Sequence, residues 1–153
     1  MSTIESRLAA LGVTLPTPAA PAANYVPFVR TGDLLWVSGQ IPMGPNGIEF
    51  VGKLGADTDI DTGRAAARLC AINLLAQVRA ATGDLEKLVR VVKLTGFVNS
   101  TLEFGDHPKV VNGASDFLVE ALGDRGRHAR SAVGVAGLPF GVAVEIEGIF
   151  QIA

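Results

Sequence analysis

The stretch from His128 to Phe150, HARSAVGVAGLPFGVAVEIEGIF, decides how this chain is read. Two apolar runs of period two flank a turn built from Gly137, Pro139 and Gly141, which predicts two strands and a connection. Arg130 opens the first strand. Glu145 and Glu147 stand two apart in the second, so both point to one face, with Val142, Val144 and Ile146 on the other. An unpaired buried charge is costly, so an arginine and two carboxylates in apolar strands need partners. Either they pair with each other across the strands or they serve a ligand.

Working outward, the chain has 153 residues, of which 48% are hydrophobic, with mean hydropathy +0.36. That length fits one domain, read here as residues 24–153, preceded by a short helix and an extended arm over 1–23. No apolar run approaches the roughly 20 residues of a membrane span, and no basic segment leads into an apolar one at the N-terminus. The single cysteine, Cys70, excludes an internal disulfide and fits a reducing compartment, so a cytoplasmic protein is expected. The net charge is −2 and Lys and Arg form no cluster, which argues against a nucleic-acid partner.

Ser2-Thr3-Ile4-Glu5 reads as a capping box, and Ile4, Leu8 and Leu11 predict a helix over 3–11 stopped by Gly12. Pro16, Pro18 and Pro21 make residues 16–23 extended. Residues 25–30 and 34–38 predict two strands around the turn Thr31-Gly32-Asp33, with Pro27 marking an edge. A loop follows over 43–58, with a short strand near 48–51. Residues 59–81 predict a long helix capped by Asp59 or Asp61 and ended by Gly83; Ala65, Leu69, Ile72 and Ala76 form its stripe. Asn73 beside that stripe is expected to bond a neighbouring backbone group, and Cys70 to be a small buried hydrophobe. Residues 88–99 form a strand apolar on both sides, and Pro108 opens a second helix over 108–122.

The order is strand, strand, optional strand, helix, strand, helix, strand, strand: an α+β fold with a mostly antiparallel sheet and two long helices on one face. Strands apolar on both faces demand a second cover, and no remaining element is large enough. A closed homo-oligomer is therefore expected, the chain itself being the partner. Trp36 is expected in the core. His107 and His128 are expected to be exposed, and their separation fits no metal site. Alternating Asp57, Asp59 and Asp61 fit helix capping better than a calcium loop.

The chain resembles the Rid family of YjgF-like proteins, reactive intermediate deaminases whose older name is endoribonuclease L-PSP. Four pieces carry the resemblance: Tyr25 ahead of the first hairpin; Val37-Ser38-Gly39-Gln40-Ile41-Pro42; Arg130-Ser131-Ala132-Val133 with Leu138-Pro139; and Val144-Glu145-Ile146-Glu147. It implies a chorismate-mutase-like fold assembled as a homotrimer, sheets facing inward, with ligand clefts between subunits. It also implies hydrolysis of enamines and imines such as 2-aminoacrylate to 2-keto acids and ammonia, without metal or other cofactor. Arg130 would bind the substrate carboxylate and Glu145 would position the attacking water. Gly39 would let backbone approach the ligand, and Tyr25, Asn112 and Ala132 would border it. Many relatives have cysteine where this chain has Ala132. The same cleft in a non-catalytic protein would bind or sense a small carboxylate such as a keto acid. A ribonuclease is the third class, and the acidic charge balance argues against it.

Overall fold

A computed structural model describes residues 3–18 and 23–153. Three α-helices accompany a five-stranded sheet and a small two-stranded one: α1 (Ile4–Ala10), β1 (Phe28–Thr31), β2 (Leu34–Gln40), β3 (Met43–Gly44), β4 (Gly47–Ile48), α2 (Ile60–Thr82), β5 (Leu88–Asn99), α3 (His107–Leu122), β6 (Ala129–Val135) and β7 (Val144–Ile152). The large sheet runs β1-β2-β7-β5-β6. Three of its four pairings are antiparallel, and β5–β6 is parallel.

Local chemistry accounts for most boundaries. Asp59 caps α2 by accepting from the Thr62 amide at 2.8 Å, and Gly83 ends it at φ +75°, a conformation glycine adopts without strain. The α1 capping box is one residue later than the sequence suggests: Thr3 accepts from the Ser6 amide at 3.1 Å, and the Ser6 hydroxyl reaches back to the Thr3 amide at 2.9 Å. Ser2 and residues 19–22 of the expected arm lie outside the described residues. The part preceding them is tied down where Arg79 Nη2 donates to the Leu15 and Pro16 carbonyls at 3.1 and 3.3 Å.

The β6 and β7 strands form as expected but are not neighbours, because β5 lies between them. The reason is the α3 crossover. A parallel strand cannot follow by a tight turn, and the helix carries the chain over to the free edge of β5. The helices α2 and α3 then lie on one face of the sheet. Leu35, Val37, Val91, Leu94, Val98, Val144, Ile146 and Phe150 point into that layer and are buried.

The other face is open and partly apolar. Val29 pairs with Trp36, Trp36 with Ile149, and Phe97 with Val133, so these side chains share the face away from the helices. Trp36, expected in the core, is 48% exposed because its neighbours Leu35 and Val37 take the inward positions. This is the uncovered sheet face anticipated from the alternation of apolar residues. Among the described residues no helix is long and apolar enough to cross a membrane.

The helices cross closely at Gly113. A methyl group there would overlap the Arg64 backbone carbonyl of α2. Backbone cannot yield as a side chain can, so Gly113→Ala is expected to destabilise the fold by about 1–3 kcal/mol. Urea unfolding followed by circular dichroism measures the loss.

Candidate functional site

On α3, Asn112, Ser115 and Val119 are spaced by three and four residues and form one stripe. That stripe runs beside the start of β6. Between them lies an open groove of about 340 Å³, lined by Asn112, Ser115, Asp116, Val119, Arg127, His128 and Arg130. The structure thus brings together two residues expected at the site, Asn112 and Arg130.

Arg130 pairs in register with Leu94, which is fully buried, so its side chain lies on the helix side of the sheet edge. Its Nη1 donates to Ser115 Oγ at 3.0 Å and its Nη2 to the Pro108 carbonyl at 3.2 Å. Both acceptors are neutral. A guanidinium has five N–H donors in a fixed fork, so most of its hydrogen-bonding capacity and all of its charge remain for a ligand. The alternative reading, an ion pair with Glu145 or Glu147, is not what forms. Among the described residues neither carboxylate joins an ion pair.

Glu145 lies on the opposite face, paired in register with Phe97. A register shift in β2 between Val37 and Gln40 brings Gly39 over it. A methyl on Gly39 would stand 3.0 Å from Glu145 Cδ, so the glycine is what lets the backbone pass so close. Partial burial, with the neighbouring Glu147 charge as a second cause, pushes the Glu145 carboxyl above the ordinary range. Tyr25 is 55% exposed at the start of the first hairpin. Its segment is tied to the Gly39 region where Ser38 Oγ donates to the Val26 carbonyl at 2.9 Å. Ala132 pairs with Gly96 and packs against the apolar core.

The six residues thus fall into two groups on opposite sides of one sheet. Arg130, Asn112 and Ala132 belong to the α3 side; Gly39 and Glu145 belong to the open side, with Tyr25 at its margin.

Two residues at the groove escaped the sequence reading. Ser115 Oγ lies 2.9 Å from His128 Nε2, and His128 Nδ1 lies 2.6 Å from the Gly126 carbonyl. His128 is therefore half-buried and bonded, not exposed. The signals were present: Ser115 follows Asn112 by three on a helix, and His128 precedes Arg130 by two at a strand. His107 is likewise partly buried, with Nε2 3.1 Å from Ser100 Oγ and its ring edge-on to Phe104. From the N-terminal end of α3 it lies beside Gly134 of β6, where a methyl group would meet its ring. A smaller depression of about 210 Å³ between α2 and α3 is a charged helix seam bridged by Arg64 and Asp116 at 3.2 Å.

Residues 5–144 match the family model described as "YjgF/chorismate_mutase-like, putative endoribonuclease". The chain is 48% identical over 150 residues to Protein TCP17 of Trypanosoma cruzi, covering 97% of this chain and 94% of that one. It is 37% identical over 142 residues to the 2-iminobutanoate/2-iminopropanoate deaminase of Escherichia coli strain K12, covering 89% and 94%. The crystal structure of the protein Atu1372 from Agrobacterium tumefaciens, of unknown function, superposes with a TM-score of 0.92 at 53% identity, over 98% of this chain and 92% of that one. The match over nearly the whole length, together with the mostly antiparallel α+β sheet backed by two long helices, establishes that this chain belongs to the YjgF-like Rid family.

Proposed function

We propose that the protein hydrolyses reactive enamine and imine intermediates, of which 2-aminoacrylate is the type, to 2-keto acids and ammonia. The observation that carries this reading is Arg130: a guanidinium held at a groove by two neutral acceptors, with its charge uncompensated. A planar substrate carboxylate is the natural partner for that fork. The E. coli relative named as a deaminase supports the same reaction class.

The chemistry balances without a further reagent. The enamine tautomerises to an imine, whose carbon is electrophilic once its nitrogen is protonated. Water adds its oxygen to that carbon and gives a proton to Glu145. The resulting amino alcohol then expels ammonia as the carbonyl forms, and the proton taken by Glu145 is returned. A carboxyl whose pKa is raised suits both halves of this exchange near neutral pH.

Arg130 and Glu145 lie on opposite faces of one sheet, so a site that uses both is completed by a second subunit. In our reading the exposed apolar row around Val29, Trp36 and Val133 is covered by other copies, in a homotrimer whose clefts join the two groups of residues. The same cleft would also bind a keto acid without turning it over, which is the sensing alternative.

These proposals have direct tests. With 2-aminoacrylate generated by a dehydratase, the protein should accelerate its decay to pyruvate. No acceleration alongside measurable pyruvate binding would favour the sensor. Arg130→Ala should weaken keto-acid affinity about 100-fold in calorimetry, since charged hydrogen bonds contribute roughly 1.5–3 kcal/mol each. Glu145→Gln should keep binding and lower kcat roughly 10²–10⁴-fold. Because the base must be ionised, and its pKa is raised, kcat should fall on the acid side at a pH above the ordinary glutamate range. For assembly, Trp36→Glu should shift sedimentation from trimer toward monomer and abolish turnover with it.

A further inference from the structure

The Ser115–His128 pair is unassigned by the reaction above, and its hydrogen-bond directions are determined. The Gly126 carbonyl can only accept, so His128 Nδ1, 2.6 Å away, carries the proton. Neutral His128 then has a bare Nε2, which takes the hydrogen of the Ser115 hydroxyl across 2.9 Å. Arg130 can only donate, so it occupies a lone pair of the Ser115 oxygen at 3.0 Å. The chain of donors runs one way, from Arg130 through Ser115 to His128 to Gly126. In this state Ser115 has no hydrogen left for anything in the groove.

Protonation of His128 reverses the middle link. Nε2 becomes a donor, and the Ser115 oxygen must accept from both His128 and Arg130. Its own hydrogen is then freed, beside the guanidinium. We propose that Ser115 is a proton-switched donor for the carboxylate held by Arg130, with His128 as the switch. This rests on the carboxylate site proposed above and adds a positioning pair to it.

The charges facing His128 are few. Arg130 comes from its own strand, Arg127 from the approach to that strand, and Asp116 from α3. Arg127 is paired with Asp124 at 3.3 Å and Asp116 with Arg64 at 3.2 Å, so Arg130 is the uncompensated neighbour. Burial first, and the Arg130 charge also, hold the His128 pKa below the ordinary range, while its bond to Gly126 opposes them. A bound carboxylate neutralises Arg130 and removes that repulsion. Binding therefore raises the His128 pKa, and by linkage the carboxylate binds more tightly when His128 is protonated. Affinity should rise as pH falls through the histidine range.

Calorimetric titration of the intact protein with pyruvate, ionised throughout, tests this. Between about pH 8 and about pH 5.5 the wild type should gain roughly fivefold or more in affinity, less than the tenfold of a one-unit shift. His128→Asn should give a flat pH profile, Ser115→Ala only the shallower slope that the charge coupling through Arg130 leaves, and Ser115→Thr should restore the full slope. The chain has two histidines, so the His128 imidazole resonance is identified by its loss in His128→Asn. Its NMR titration should move to higher pH when pyruvate is added. Binding with no pH slope, a slope that survives in His128→Asn, or a slope undiminished in Ser115→Ala overturns the switch and leaves the carboxylate site standing. No pyruvate binding at any pH, with His128 titration unmoved by pyruvate, overturns the carboxylate site itself.

Discussion

Twelve residues of β5 run through the middle of the molecule with apolar side chains on both faces, and among the described residues only two long helices are available to cover them. Most of the architecture follows from that mismatch. The helices pack on one face, where Leu94, Val98, Ile146 and Phe150 meet α2 and α3 in a sealed layer. Close approach there depends on glycine. Gly113 admits the α2 backbone, and Gly96 accommodates Val111 of α3. The second face keeps Trp36, Phe97, Ile149 and Val133 beside Glu145 and Glu147. A surface of aromatic rings interleaved with carboxylates is a poor interface with water and a good one with another protein surface.

Electrostatics divides the same way. Arg130 is held on the helix side by a serine hydroxyl and a backbone carbonyl; the carboxylates sit on the far side. Had the sheet placed them together, they would have neutralised one another, leaving nothing for a ligand. Separating opposite charges across a sheet leaves each uncompensated in its own chain. On each side burial disfavours a charged form, raising the pKa of Glu145 with the Glu147 charge as a second cause and lowering that of His128.

Polar side chains inside the fold hold the loops that carry the rest of the candidate site. Asn73 of α2 donates from Nδ2 to the Ile41 and Met43 carbonyls, both at 3.1 Å, and so fixes the exit from the Gly39 bulge. Asn99, at the end of β5, donates to the Gly52 and Val142 carbonyls at 3.2 Å and accepts from Lys53 Nζ at 2.7 Å. It joins the loop after β4 to the approach to β7. Cys70 packs against Val144 with its Sγ 3.6 Å from that carbonyl, and burial raises its pKa far enough to make it a structural thiol.

Helix and strand identity was legible in the sequence because it is written in local periodicity. The caps at Asp59 and Gly83, the extent of β5 and the apolar alternation of β7 need only neighbouring residues to be read. The second uncovered face was legible too, by counting apolar surface against available cover. Strand order was not. Whether β6 pairs with β7 or with β5 depends on where the α3 crossover delivers the chain, and alternation is identical in both cases. The placing of Arg130 and Glu145 on opposite faces follows from the register of the pairings, with Arg130 opposite Leu94 and Glu145 opposite Phe97. The meeting of Ser115 with His128 follows from the strand order, since it requires a helix stripe and a strand start to be brought within 3 Å. Spacing within an element decides which side chains share a face; only packing between elements decides which faces meet.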